Sequence, residues 1–504
     1  MNKRKFGILL PVSAIPSAEG IGTMGESTYR FLDYLADCGA SVWQILPLNP
    51  TNYGDSPYQS CSSCALNYYF IDLRLLQKSG LLKKNEVYGA DLGYDERRVD
   101  YGKQFYNKIE LLRLAYSRFK KTKQFAAFIE DGKYFDFSVF MALKARFDHR
   151  PWTEWEEPYR VYDEKVINKF VKKNADEIEF WQFRQFIVLK QCKKLKAYAN
   201  KLGISVMGDI PLYLAYDSVE VWKYGDAIFD MSADREPNAV AGCPPDCFSE
   251  DGQLWGNPVY DWEKMKGDGY KWWKQRIEDC FELYDILRID HFRGFDRYWR
   301  VPPKDLTARN GKWVDGPKAK LFEDMLDKNI VAEDLGVLDD GVVQLMKDVG
   351  YPGMKVLEFA FDGSWDNEHK PSRYNNNFVC YTGTHDNMPL LQYFVDLDDE
   401  LKNTFVNDLT DQCQRLGFTP DTSTPKAVVD SVVELAFASV ADTVIIPVQD
   451  LLGLDGSSRM NLPSTVSPDN WSFRLKEGEL DEQLLIRLKC LAEKYNRLQD
   501  KETK

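Results

Sequence analysis

Eight short apolar runs, rich in β-branched residues, punctuate the chain, and each breaks off into polar or charged positions. They are KFGILLPVS (5–13), SVWQILPLNP (41–50), ISVMGDIPLY (204–213) and ILRIDHF (286–292), followed by NIVAEDLG (329–336), KVLEFAFD (355–362), FVCYTGTHDN (378–387) and TVIIPVQD (443–450). Continuous apolar runs of this length suit strands buried on both faces, the situation of a parallel sheet. Between most of them the period turns helical. Tyr29 to Leu35 is one such segment. Phe180, Phe183, Ile187, Leu195 and Tyr198 form a stripe that stops before Gly203, and Leu484, Leu488, Leu491, Tyr495 and Leu498 form another near the end.

Eight strands alternating with helices predict an α/β fold, a (β/α)₈ TIM barrel. The chemistry of such a barrel sits at the C-terminal ends of its strands. Here those ends carry Asp209, Asp290, Glu333, Asp386 and Asp450. The spacing is uneven: about 150 residues separate the second and third runs, far more than one helix needs. The expectation is one catalytic barrel domain over residues 1–504. Residues 51–201 would form a large, mainly helical insertion at the C-terminal face of the strands. Residues 229–274, rich in Gly, Pro and Trp, would form a long loop region over the site.

Composition narrows the function. A formal net charge of −13 argues against a nucleic-acid partner, whose phosphates demand a basic face. No apolar run approaches the ~18 residues of a membrane span. The N-terminal MNKRKFGILLPVSAIPSA mimics a signal peptide, but its apolar stretch is short and broken by Pro11. It reads as a buried strand, and the expected location is cytoplasmic. Of the ten cysteines, two close pairs, Cys61/Cys64 and Cys243/Cys247, leave a zinc site open beside plain thiols.

Three carboxylates stand beside cations or turn residues: Asp290 in RIDHFRG, Glu333 in VAEDLG and Asp386 in TGTHDN. Glycoside chemistry needs two carboxyls flanking an acetal, one ionised and one able to deliver a proton. Arg288 lies two residues from Asp290, on the same face of a strand, and favours the ionised form. Glu333 follows Val331 and Ala332 with no adjacent cation and holds its proton longer. His291 and His385, two of only four histidines, could donate to sugar hydroxyls. A barrel-rim salt bridge explains any one such pair, and carboxylates at strand ends also suit Mg²⁺ or Ca²⁺. Neither a G-x-S-x-G elbow nor a nucleotide-binding glycine motif follows a strand.

These motifs carry a resemblance. The chain resembles the 4-α-glucanotransferases of the amylomaltase, or disproportionating-enzyme, family (glycoside hydrolase family 77), nearly end to end. The resemblance covers WQILPLNPT (43–51), YGDSPYQS (53–60), GDIPLYLAYDSVEVW (208–222), GCPPDCFSEDGQLWGNPVYDW (242–262), LRIDHFRGF, VAEDLG, YTGTHDN and RMNLPSTVSPDNWSFRL (459–475). It implies a (β/α)₈ barrel with helical insertions and retaining transfer of α-1,4-glucan segments between malto-oligosaccharides, without a cofactor or metal. It implies that Asp290 is the nucleophile, Glu333 the general acid/base, and Asp386 the residue that grips the distorted sugar. Arg288, His291 and His385 carry over as companions at that subsite. Tyr58, Ser56, Asp209, Trp255 and Asn461 carry over as sugar contacts. The chain departs from the family pattern at CSSCALNYY after SPYQS, at Cys243 and Cys247, and at the Met-Pro after THDN. The runner-up is an α-glucan hydrolase using the same carboxylates. A non-catalytic glucan-binding protein would have lost at least one of the three.

Overall fold

The computed structural model describes residues 4–245, 249–336 and 338–498. Among them are twelve strands, and the eight apolar runs supply the eight that form one parallel sheet. These are β1 (Lys5–Leu9), β2 (Val42–Gln44), β3 (Ser205–Ile210), β6 (Ile286–Ile289), β9 (Ile330–Ala332), β10 (Gly353–Val356), β11 (Phe378–Tyr381) and β12 (Thr443–Pro447). The order is β10-β11-β12-β1-β2-β3-β6-β9, so each strand lies beside its predecessor in the barrel series. Every paired neighbour is parallel. Burial on both faces explains the unbroken apolar runs: Phe6, Ile8, Val42, Leu287, Ala332, Val356, Cys380 and Val444 are all fully buried.

β9 and β10 stand at the two ends of that order, and single contacts join them. The Ala332 N–H donates to the Pro352 carbonyl over 2.9 Å, and the Met354 N–H donates to Oδ1 of Asp334 over 2.7 Å. A side chain therefore supplies a bond that a ladder would otherwise make. Residue 353 must be glycine for this, because a Cβ there would lie 2.3 Å from Oδ2 of Asp334. Burial pushes the Asp334 carboxyl up to about 6. The result is a (β/α)₈ barrel.

One run differs from its expectation. The segment 355–362 reads as a strand, but the strand is Gly353–Val356 and the chain then tightens into a 3-10 turn, Leu357–Phe359. The helical stripes fall where the period places them. The helix Glu26–Cys38 ends on Gly39 in a left-handed conformation, φ 85°. The helix Ala175–Lys201 ends just before Gly203, φ 79°. The last helix among the described residues is Glu482–Lys494, opened by the Asp481 side chain on the Leu484 N–H, so Tyr495 and Leu498 lie beyond it.

Between β2 and β3 the chain is mostly helical, with Leu73–Lys78, Ile109–Arg118, Lys123–Asp131, Phe135–Arg146, Glu164–Lys173 and Ala175–Lys201 as its longer pieces. The other four strands are β4 (Val240–Cys243), β5 (Gln253–Pro258), β7 (Arg297–Val301) and β8 (Lys312–Asp315). They form a separate antiparallel sheet in the order β5-β4-β7-β8, which hydropathy did not predict. Cys243 ends β4, and Cys247 lies outside the described residues. Cys61 and Cys64 are thiols whose burial pushes both up to about 12. No helix among the described residues is long and apolar enough to cross a membrane.

Candidate active site

Asp209 and Arg288 are register partners on the adjacent strands β3 and β6. Nη1 of Arg288 donates to Oδ2 of Asp209 over 2.6 Å, and Nη2 donates to Oδ1 of Asp290, one residue past β6, over 2.9 Å. Two positions apart along an extended chain, Arg288 and Asp290 face the same way, as their spacing predicts. Asp209 is fully buried, and Tyr58 Oη donates to the same Oδ2 over 2.7 Å. Burial pushes the Asp209 carboxyl up and Arg288 pulls it down. Burial also opposes the guanidinium charge, but Asp209 and Asp290 outweigh it and hold Arg288 well above its usual value. Gly208 makes room behind this cluster, since a Cβ there would lie 2.3 Å from the Tyr284 ring.

Glu333 follows β9 directly, next to the strand that carries Arg288. Its Oε2 accepts from the His291 N–H over 2.7 Å and its Oε1 from the Leu335 N–H over 2.8 Å. His291 makes its bond from a left-handed backbone, φ 52°. A non-glycine residue held there is strained, and such strain collects at functional sites. Desolvation and the Asp290 charge push the Glu333 carboxyl up to about 7, against the pull of Arg288 and the two amides. Burial pushes the His291 imidazole down to about 4, so the ring is neutral at neutral pH. That ring meets the edge of Trp255, from β5, at 4.8 Å between centroids. The small antiparallel sheet thus reaches the barrel rim, where Trp255 also meets the Tyr213 ring and Asn257 donates to the Leu214 carbonyl.

Asp386 lies in the loop beyond β11 rather than at the strand end. Asn461 Nδ2 donates to its Oδ1 over 2.7 Å, and Arg459 Nη2 donates to its backbone carbonyl over 2.6 Å. His385 Nε2 stands 3.5 Å from Oδ2 of Asp386. The His385 ring stacks on Tyr58, with centroids 5.0 Å apart and planes 8° apart. Ser56 shapes the turn beneath, its Oγ accepting from the Tyr58 N–H over 3.2 Å.

The sequence-derived residues are therefore one connected group. Tyr58 joins Asp209, Arg288 and Asp290 on one side and His385, Asp386 and Asn461 on the other; His291 follows Asp290 in the chain and links it to Glu333 through its N–H and to Trp255 through its ring. Asp450 is placed differently. It lies in the helix Val448–Leu452 with both oxygens engaged, by the Leu390 N–H and the Thr382 hydroxyl. Sequence reasoning also passed over Arg459 and Trp471, both inside the RMNLPSTVSPDNWSFRL segment. Trp471 packs on both Tyr58 and His385. Among the described residues no cluster of three or more His, Cys, Asp or Glu is placed to hold a metal ion.

The sequence profile of the 4-alpha-glucanotransferase family matches residues 10–481. A 4-alpha-glucanotransferase of Clostridium butyricum is 42% identical over 494 residues, covering 96% of this chain and 99% of the relative. One of Streptococcus pneumoniae is 40% identical over 510 residues, covering 99% of each. The structure of the amylomaltase from Streptococcus agalactiae in complex with acarbose superposes with a TM-score of 0.92 at 36% identity, over 99% of this chain and 100% of that one. The amylomaltase of Corynebacterium glutamicum, at 17% identity and a TM-score of 0.74 over 98% of this chain and 74% of its own, shares the fold. With its profile matched nearly end to end and its relatives aligned over their whole length, the chain belongs to the 4-α-glucanotransferase family.

Proposed function

We propose that this 4-α-glucanotransferase moves α-1,4-glucan segments between malto-oligosaccharides by retaining double displacement, with Asp290 as nucleophile and Glu333 as acid and then base. The observation that carries this reading is the asymmetry of the two carboxyls. Arg288 binds Asp290 directly over 2.9 Å, whereas Glu333 is desolvated, faces the Asp290 charge and is pushed up to about 7. One is set up to attack and the other to hold a proton.

In the first step Oδ2 of Asp290, the oxygen that Arg288 does not engage, bonds to the anomeric carbon. The glycosidic C–O bond breaks, and the Glu333 proton goes to the departing oxygen. In the second step Glu333, now a carboxylate, takes the proton of an incoming 4-hydroxyl. That oxygen bonds to the anomeric carbon and the ester to Asp290 breaks. Two inversions restore the α configuration. The positive character at the anomeric carbon is met by carboxylates, so the chemistry calls for no cofactor or metal.

Asp386, oriented by Asn461 and Arg459, is assigned to gripping the sugar at the cleavage point. Arg288, His291 and His385 flank that subsite. Tyr58, Ser56, Trp255 and Asn461 supply contacts around it. Asp209, fully buried, serves through Arg288 and Tyr58. The mainly helical residues 51–201 and the region 229–274 are assigned as walls of the glucan cleft within a single catalytic domain. The bond between Tyr58 and Asp209 and the contact between Trp255 and His291 support this. The enzyme is assigned to the cytoplasm, where soluble malto-oligosaccharides would be its substrates.

Incubation with maltotriose tests the reading. Glucose plus a ladder of longer maltodextrins is expected. Glucose and maltose alone would identify a hydrolase, and an unchanged substrate a binding protein.

A further inference from the structure

Behind Asp386, the ends of β10 and β11 and the helix Val448–Leu452 enclose a polar cluster that the steps above do not use. Glu358, in the turn after β10, is only 7% exposed. Its N–H donates to the Thr382 carbonyl over 3.0 Å, fixing the turn to the end of β11. Its Oε1 accepts from Asn387 Nδ2 over 2.8 Å. The other end of the same amide, Asn387 Oδ1, accepts from both the N–H and the hydroxyl of Thr384, each over 2.8 Å. Thr384 Oγ1 in turn accepts from the Asp386 N–H over 3.3 Å. The turn that carries Asp386 is thus closed on itself by Asn387, and Asn387 is held from below by one carboxyl.

Oε2 of Glu358 is buried and has no hydrogen-bond partner among the described residues. A bare oxygen on a buried carboxylate is costly, and the protonated group avoids the larger part of that cost. The charged and titratable groups around it are Asp450, from the helix Val448–Leu452, Arg459, and Tyr393, from the helix Leu390–Asp396. Burial is the main effect, with Asp450 adding to it and Asn387 and Arg459 opposing, and Glu358 is pushed up to about 8.

We propose that Glu358 is a positioning residue of the transfer reaction: as a neutral carboxyl it fixes the Asn387 amide and, through Thr384, the turn that presents Asp386 to the sugar. It acts through other side chains and touches no reacting atom. The proposal rests on the reading of Asp386 as the sugar-gripping residue given above.

The test compares Glu358→Gln, Glu358→Ala and Asp386→Asn with the unaltered enzyme on maltotriose, with kcat followed across pH and folding followed by Tm. Near neutral pH, Glu358→Gln is expected to keep kcat within about twofold, because it is a neutral isostere that still accepts from Asn387, while Glu358→Ala falls at least about tenfold. In the unaltered enzyme, ionisation of Glu358 places a second buried charge beside Asp450 that the cluster must move or hydrate to accommodate, so log kcat is expected to fall more steeply above about 8 than in Glu358→Gln. A folded Glu358→Gln as impaired as Glu358→Ala, a fully active Glu358→Ala, or superimposed alkaline limbs would each overturn the proposal. If Glu358→Ala fails to fold, the Glu358→Gln profile still decides. Asp386→Asn separates the two readings. An active Asp386→Asn removes the role of Asp386, whereas unchanged alkaline limbs with an inactive Asp386→Asn remove only that of Glu358.

Discussion

The backbone N–H of His291 donates to Oε2 of Glu333 over 2.7 Å, from a left-handed conformation with φ 52°. The residue after the proposed nucleophile thereby orients the proposed acid/base through its backbone. Glu333→Gln is expected to lower kcat on maltotriose by at least about 10²-fold, the low end of what general acid–base catalysis contributes. The amide can accept only one of the two N–H bonds, so a destabilisation of about 1 kcal/mol accompanies the loss and is read from Tm. Near-normal turnover would refute the assignment.

The pH dependence follows from the same carboxyl. Glu333 is raised from 4.5 to about 7, and bond cleavage needs its proton. The donor-side kcat/KM is therefore expected to be high below about 7 and to fall above it. The stability contribution has the same sign. A carboxyl raised in the folded state favours folding below its unfolded value, and that contribution is lost as pH rises from 4.5 through about 7. Urea denaturation across this window should show the loss in the unaltered enzyme and a flatter profile in Glu333→Gln. Equal profiles would contradict the shift.

Arg288 serves two carboxylates with two nitrogens, a geometry that a single ammonium cannot reproduce. Arg288→Lys is expected to cost kcat/KM at least about 10²-fold through misplacement of Asp290. Arg288→Met leaves Asp209 buried without its cation and is expected to cost about 3–5 kcal/mol. Chemical denaturation with the kinetics measures both, and an Arg288→Lys enzyme of ordinary activity would show that Asp290 needs no bidentate partner.

Asp334 is a structural counterpart. Asp334→Ala strips the acceptor from the Met354 N–H and is expected to destabilise by about 1–3 kcal/mol. Asp334→Asn keeps an acceptor and should lose much less. Equal Tm values for the two would show that the side-chain bond contributes nothing.

The barrel was legible because its strands are buried on both faces, so hydropathy alone marks all eight. The sixth was misplaced because Leu357, Phe359 and Phe361 extend the apolar run past Val356, where the backbone already turns. The antiparallel sheet escaped notice because its strands carry no continuous apolar run: polar, Gly and Pro positions interrupt Gln253–Pro258, charged ones interrupt Arg297–Val301, and no residue of Lys312–Asp315 is buried. The candidate site residues lie inside long motifs, but which of them pair was not legible there. Tyr58 and Asp209 meet across 151 positions, and Asp386 and Asn461 across 75. Such pairings come from the closed barrel, which no local pattern encodes. Asp450 shows the converse: its strand-end position suggested chemistry, but its burial and its two partners make it part of the frame.

The closing contacts between β9 and β10 set the order in which the barrel loosens. Every other neighbouring pair of strands is zipped by several successive ladder bonds, while this pair is joined at isolated points. Local opening begins where the fewest bonds must break together. In native-state hydrogen exchange the amides of Ala332 and Met354 are therefore expected to lose protection before those of Gly7 or Ile445, which lie in the continuous β1–β12 ladder. The strand that delivers Glu333 is then the barrel's least cooperative member, whereas the strand leading to Asp290 is zipped on both sides.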